Sequence, residues 1–276
     1  TELTKEIVLE WTKRKSFEAT STQLGRISLM RGLAEYMSRM GKKAYICPKS
    51  LVTVNRYSYT PYIFSKKEIA SIFYACDNFP ASKESPNRQI ILSLVIRMIY
   101  GCGLRISEAV NLTVSDVNLN EGTIFIKDTK FGKERLIPMA DTLKKRCREY
   151  SILVLTGKSD TSYFFPSPFG GHYKSNTIYG LFRKVLWAAG ISHTGKGPRL
   201  HDMRHTYAVH CLKKWALANR DMTNCMPYLS AYLGHEDLRG SQRYLRLTAD
   251  LYPDITSKVE KNCSWLIPEV NWHETY

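Results

Sequence analysis

Apolar residues recur at helical spacing along most of the chain. The stretch from Thr4 to Arg14 is amphipathic. A second, from about Ser21 to Met40, places Leu24, Ile27, Leu29, Leu33, Tyr36 and Met37 on a helical period and ends at Gly41, as a C-terminal glycine does. Two helices alone bury little surface, so this piece is expected to be part of a domain rather than a whole one. Pro48 to Tyr62 has no clean period and carries Pro48, Pro61 and several tyrosines, which reads as a linker. The expected layout is a partial helical domain over 1–56, a linker over 57–64 and a larger domain over 65–276. Ser65-Lys66-Lys67-Glu68 is a capping-box pattern that opens a helix through about Cys76. Asn78 to Asn87 is a loop with two prolines. Arg88 to Tyr100 is nearly all apolar and predicts a buried helix, broken by Gly101 and Gly103.

The period then changes. After a short helix from Ile106 to Leu112, strand material covers Thr113 to Asn118, Thr123 to Lys127 and Glu134 to Pro138. The turn Asn120-Glu121-Gly122 and a basic turn join these into an antiparallel meander. Helices are predicted again at about Asp141 to Val154, Ser175 to Ala189, His201 to Trp215 and Met226 to Leu233, with one more at about Ile255 to Cys263. The fold class is mostly α with a small antiparallel β-sheet, an α+β arrangement.

Composition narrows the partner. Of 276 residues, 43% are hydrophobic, enough for a packed core. Lys plus Arg number 40 against 25 Asp plus Glu, a net charge of +15 that favours a polyanion. The seven cysteines are scattered, with no CxxC pair, so a disulfide framework and a zinc ribbon are both disfavoured and a reducing cytosol is expected. No apolar run reaches transmembrane length, so no membrane partner is expected. The first residue is Thr rather than Met, and the chain is expected to start inside a longer product.

Four clusters can carry chemistry. Arg105, just before a short helix in Gly103-Leu104-Arg105-Ile106-Ser107-Glu108, sets a guanidinium beside free backbone N–H groups, or simply pairs with Glu108. Lys130 sits in a basic turn, where a solvated turn is the commoner outcome. His201 and Arg204 share a helix face and suit adjacent oxygens of one phosphate. His201 and His205 have zinc-ligand spacing, but Asp202 replaces the glutamate of the usual zinc-protease pattern. His235 follows the helix break at Gly234, and Tyr244, one of 17 tyrosines, lies nine residues further on. Alone, such a tyrosine is usually packing.

Together these clusters resemble the tyrosine recombinase family, which includes phage integrases, Xer-type resolvases and transposon integrases. The order Arg, Lys, His-x-x-Arg, Gly-His, Tyr is the family's order. The strings GLRISE, TKFGKERLIPM, LHDMRHTYA and YLGHEDLRGSQRYLR match locally, over roughly residues 60 to 250. The resemblance implies a site-specific recombinase that cuts DNA with Tyr244, forms a 3′-phosphotyrosyl bond and needs neither ATP nor a metal or other cofactor. It implies that Arg105 and Arg204 hold the non-bridging oxygens, that Lys130 protonates the 5′-oxygen, that His201 helps remove the Tyr244 proton, that His235 bonds the phosphate and that Glu108 supports the site. It implies further a double-stranded DNA partner with a specific core site and a cytoplasmic, nucleoid-associated location. A homo-tetramer on DNA would exchange a tail, from about residue 250, that carries Val259, Trp265, Leu266 and Ile267. Residues 1–56 would then be the later helices of a core-binding domain, with Arg14, Lys15, Arg26, Arg31, Arg39, Lys42 and Lys43 as phosphate contacts.

Integration and excision of a mobile element is the leading biological role, with Xer-like dimer resolution beside it. A type IB topoisomerase shares the phosphotyrosine chemistry but relaxes supercoils without pairing sites. A catalytically inactive architectural DNA-binding protein would not need all six positions filled. A metallohydrolase built on His201 and His205 is the most distant alternative.

Overall fold

The computed structural model describes residues 2–52, 60–127, 132, 134–195, 197–235 and 239–252. Lys130, the helix read at 255–263 and the tail residues Val259, Trp265, Leu266 and Ile267 lie outside the described residues. Two compact units divide the chain at Thr1–Thr60 and Pro61–Tyr276.

In the first unit, α1 (Lys5–Thr12) starts at Thr4, whose hydroxyl accepts from the Ile7 N–H, and α2 spans Thr20–Arg39. The inward stripe of α2 is Gln23, Ile27, Met30 and Ala34. Leu29, Leu33 and Tyr36, expected on the apolar face, are exposed instead. Gln23 takes an inward position because its amide donates to the Thr12 carbonyl at 3.1 Å, a bond no hydrophobic count anticipates. Val8, Ile27, Met30 and Cys47 form the small core.

The larger unit is helical around one buried helix. Its helices are α3 (Lys66–Asp77), α4 (Arg88–Cys102), α5 (Ile106–Asn111), α6 (Asp141–Tyr150), α7 (Ser175–Ala188), α8 (Leu200–Leu217), α9 (Met222–Leu233) and α10 (Arg239–Leu251). The Ser65 capping box forms as read, with Ser65 N donating to Glu68 Oε2 at 2.7 Å and Glu68 N to Ser65 Oγ at 3.2 Å. Every residue from Ile91 to Ile99 in α4 is buried, and α3, α5, α6 and α8 pack around it. Each such aliphatic side chain contributes about 1.5–3 kcal/mol on burial. Arg97 survives there because Asp77 takes it with two bonds, at 2.9 and 2.7 Å.

The three strands β1 (Val117–Asn118), β2 (Thr123–Ile126) and β3 (Arg135–Pro138) form an antiparallel meander in the order β1-β2-β3, and β3 packs against α9. The first strand is shorter than the pattern suggested. Val114–Asp116 coil into a 3₁₀ turn because the Asp116 carboxylate accepts from both the N–H and the hydroxyl of Thr113.

Other boundaries also moved. Pro61 to Phe64, read as the end of a linker, belong to the packed unit: Phe64 is fully buried and its N–H donates to Thr206 Oγ1 at 3.0 Å. The helix expected to run to Val154 switches at Ser151–Leu155 into a wider π-type turn. α9 starts at Met222 rather than Met226 because Asp221 caps it through the Thr223 N–H, and Pro227 is tolerated inside. α10, which carries Tyr244, was not anticipated. It packs on α8 and α9 in a separate small core with Ala208, Leu212, Met226, Leu229, Leu233 and Leu245.

Two helix ends meet at Gly103. It closes α4 in the left-handed region, at φ 60° and ψ 28°, and a Cβ there would lie 2.7 Å from Leu233 and 2.8 Å from Tyr207. Both the backbone sign and the contact demand glycine. Gly103→Ala should cost about 2–4 kcal/mol by strain and overpacking, lowering the melting temperature by roughly 5–15 °C. Thermal unfolding followed by circular dichroism checks this, and an unchanged melting temperature would refute the close approach.

Candidate active site

Of the predicted catalytic residues, Arg105, His201, Arg204, His235 and Tyr244 come together where α4, α5, α8, α9, α10 and β3 meet; Lys130 lies outside the described residues. Arg105 stands at the N-cap of α5 with extended backbone, so its side chain leaves the helix start. Glu108, one turn on, accepts from the Arg105 N–H at 2.8 Å and from Arg105 Nη1 at 2.7 Å. The pairing with Glu108 that the sequence offers for Arg105 is therefore present. It leaves Arg105 Nη2 donating to the Gly234 carbonyl at 3.1 Å.

Glu108 does more than hold Arg105. Arg135, at the start of β3, donates to both its oxygens, at 3.1 and 2.7 Å, and to the Tyr232 carbonyl at 3.0 Å. Arg135 falls within the string TKFGKERLIPM, but the residue singled out there is Lys130. It lies in a strand whose pattern looks merely basic, and no local signal marks it. Arg204 is 1% exposed; it donates from Nη1 to the Gly103 carbonyl at 2.6 Å and from Nη2 to the Leu233 carbonyl, with Glu108 3.8 Å away.

Three guanidiniums therefore cap the last carbonyls of α9, and Arg204 caps the end of α4 as well. Orphan carbonyls and the negative end of a helix both favour cations there. Burial and the Arg105 charge lower the Arg204 pKa to about 10, so it stays protonated at neutral pH. Burial alone would raise the Glu108 pKa, but hydrogen bonds and charge from Arg135 and Arg105 outweigh it and hold the carboxyl below the usual range.

Tyr244 lies on α10, 3% exposed. Its ring stacks on His235 with centroids 5.9 Å apart and planes at 22°, and its hydroxyl stands 3.0 Å from His205 Nδ1. His235 in turn bonds Ser241 Oγ at 2.8 Å. Burial raises the Tyr244 pKa, and the nearby charges of Arg204, Arg243 and Arg105 pull it back. The imidazole in contact with the hydroxyl is thus His205, not His201. His201 sits one turn earlier with its ring edge-on to His205 at 4.6 Å. Burial, Arg204 and Arg105 lower the His201 pKa to about 4, so it is neutral. With His205 Nδ1 directed at Tyr244, this pair is not arranged as a zinc site. No group of metal-ligating side chains occurs among the described residues.

The basic residues of the first unit divide. Arg26 donates to the Trp11 and Lys13 carbonyls at 2.6 and 2.8 Å and pairs with Glu18, and Arg31 pairs with Glu35 and bonds the Cys47 carbonyl. Both hold the unit together. Arg14, Lys15, Arg39, Lys42 and Lys43 are exposed, Arg14 with a bond to the Glu18 carbonyl and Lys43 beside Glu2.

The model of the phage integrase family matches residues 63–250. The chain is 30% identical over 273 residues to the putative integrase/recombinase y4rB of Sinorhizobium fredii, covering 94% of this chain and 84% of that one. It is 31% identical over 162 residues to tyrosine recombinase XerC of Oceanobacillus iheyensis, covering 56% and 49%. Among solved structures, XerH site-specific recombinase bound to a palindromic difH substrate superposes with a TM-score of 0.67 at 22% identity, over 91% of this chain and 70% of that one. No helix among the described residues is long and apolar enough to cross a membrane.

Glu108→Gln should expose the dependence of the site on one carboxylate. Removing one partner of a buried ion network costs about 3–5 kcal/mol. The folded-state pKa of Glu108 is depressed, so its stabilisation is complete above the ordinary carboxylate value of about 4.3 and is lost as pH falls through the lower folded value. Urea unfolding at pH 7 and at pH 3 should show the gap between wild type and variant narrowing on acidification. A gap independent of pH would contradict the linkage.

Proposed function

The chain belongs to the phage integrase family, tyrosine recombinases that cleave and rejoin DNA through a phosphotyrosine intermediate, and from that premise we propose that Tyr244 is its nucleophile. The carrying observation is the company of its hydroxyl: a buried phenol with a histidine at hydrogen-bond distance and two buried or half-buried arginines, Arg204 and Arg105, converging from other helices.

A phosphodiester repels nucleophiles by its charge. Among Arg105, Arg135, Arg204 and Glu108, three guanidiniums against one carboxylate leave a positive excess. Arg105 and Arg204 face the nucleophile and are assigned to the non-bridging oxygens, where charge grows in the transition state. His235, stacked on Tyr244, and His201, neutral beside Arg204, are assigned hydrogen bonds to the same phosphate. Lys130 keeps the role of acid for the 5′-oxygen, on the strength of the family's lysine hairpin.

DNA is the partner. Phosphate contacts in the first unit are assigned to the exposed Arg14, Lys15, Arg39, Lys42 and Lys43, with Arg26 and Arg31 reserved for structure. Integration and excision of a mobile element is the role proposed, with dimer resolution as the second reading; y4rB, named a putative integrase/recombinase, aligns with 94% of the chain. A tetramer on DNA, with the tail after about residue 250 exchanged between subunits, completes the reading.

Tyr244→Phe should abolish covalent complexes on a nicked trapping substrate while DNA binding stays intact. An adduct formed at the normal rate by that variant overturns the assignment. Arg105→Ala and Arg204→Ala should each slow trapping by about 10²–10³-fold or more, as loss of one oxyanion donor does.

A further inference from the structure

A buried tyrosine cannot attack phosphorus and keep its proton. At 3% exposure the Tyr244 hydroxyl is also poorly placed to hand that proton to bulk water. The acceptor has to come from the protein or from the bound DNA.

The groups around the hydroxyl differ sharply in what they can do. Arg204, Arg243 and Arg105 are cations with no lone pair to offer. Glu108 could accept a proton, but its two oxygens are occupied by Arg105 and Arg135. His235 lies on the face of the Tyr244 ring, with Nδ1 directed at Ser241. His205 alone among these presents a ring nitrogen to the phenol oxygen, Nδ1 at 3.0 Å.

We propose, resting on the reading of Tyr244 as nucleophile, that His205 is a further catalytic residue, the one that takes the Tyr244 proton during strand cleavage. Nδ1 accepts the O–H hydrogen bond, which places the imidazole proton on Nε2. During attack the Tyr244 Oη–P bond forms and the P–O5′ bond breaks. The Oη–H bond breaks at the same time and the proton passes to His205 Nδ1, leaving an imidazolium. The 5′-oxygen collects its own proton from a separate acid. Rejoining reverses each step, with His205 returning the proton to the departing tyrosine.

The electrostatics let DNA switch this base on. Burial first, and then the neighbouring His201 ring and the cations Arg243 and Arg204, push the His205 pKa far down in the free protein. The same fields keep the imidazole neutral and able to accept. An incoming phosphodiester brings a negative charge to the arginines that oppose protonation. That offsets part of their effect and raises the proton affinity of His205 only when substrate is present. The free enzyme thus keeps Tyr244 protonated.

The position is easy to misread in the sequence. His205 follows Arg204 directly and stands four residues after His201, so its spacing points to zinc rather than to Tyr244. The contact arises only because α10 lies along α8.

The test compares His205→Ala and His205→Asn with wild type, all checked for folding by circular dichroism and for DNA binding by gel shift. The asparagine keeps a hydrogen-bonding atom near the Nδ1 position but cannot hold a proton. Both variants should form the covalent complex about 10²–10⁴-fold more slowly, the range of a lost general base. The defect should shrink at raised pH and with a fluorotyrosine at position 244, whose phenol ionises more readily. It should not shrink on DNA carrying sulfur in place of the 5′-bridging oxygen, because that leaving group needs no proton. Wild-type rates in both variants, full rescue by asparagine, or rescue by the sulfur substrate would each overturn the proposal. If wild type itself forms no adduct at Tyr244, the reading of the nucleophile fails instead.

Discussion

One buried carboxylate organises the centre of the larger unit. Glu108 accepts from Arg105 and Arg135 and stands 3.8 Å from Arg204, while those three guanidiniums together bond the carbonyls of Tyr232, Leu233 and Gly234. Burying an acid at 6% side-chain exposure is costly unless its charge is met, and the arginines meet it. Burying arginines is costly for the same reason. The ends of α4 and α9 supply the acceptors that the carboxylate cannot. The result is a junction in which two helix ends, a strand and the N-cap of α5 are fixed by charge-assisted bonds as well as by the packing of Leu233 and Tyr207 on Gly103.

That choice shapes the chemistry. Helix carbonyls carry only partial charge, so they orient a guanidinium without neutralising it. Arg204 is held by two carbonyls and a distant carboxylate, and remains a cation with N–H groups to spare. A site that relied on carboxylates alone for orientation would have cancelled the charge needed to receive a phosphodiester. Here positioning and charge are supplied by different groups.

Much of this was legible in the chain. The Ser65 capping box, the apolar run of α4 and the glycine at 103 each have a local cause, and each formed as read, except that α4 continues through Gly101 to Cys102 and only Gly103 ends it. The convergence of Arg105, His201, Arg204, His235 and Tyr244 was legible only through the order of motifs, since no single spacing carried it. What stayed hidden depends on contacts distant in sequence. Arg135 reaches Glu108 across 27 residues, a contact that its place in the string TKFGKERLIPM does not announce. α10 escaped because its inward face includes Ser241, Tyr244 and Thr248 beside Leu245, and polar residues on a buried stripe blur a hydrophobic period. The exposed Leu29, Leu33 and Tyr36 of α2 show the opposite failure, a clear apolar period on a face turned to solvent.

The two hidden elements are connected physically. α9 ends in carbonyls that the arginines hold, and the chain leaves that end through Gly234 in the left-handed region, at φ 64° and ψ 46°. His235 follows at once and stacks on the ring of Tyr244, which the return of α10 brings back against α8. The nucleophile is therefore located from two sides. His235 comes from a helix end fixed by the Glu108 network, and His205 comes from the helix that also carries Arg204. A displacement of the α9 end would shift His235 and the Arg204 acceptors together. Nucleophile and anion-binding cations then depend on one junction, so that a displacement there acts on both.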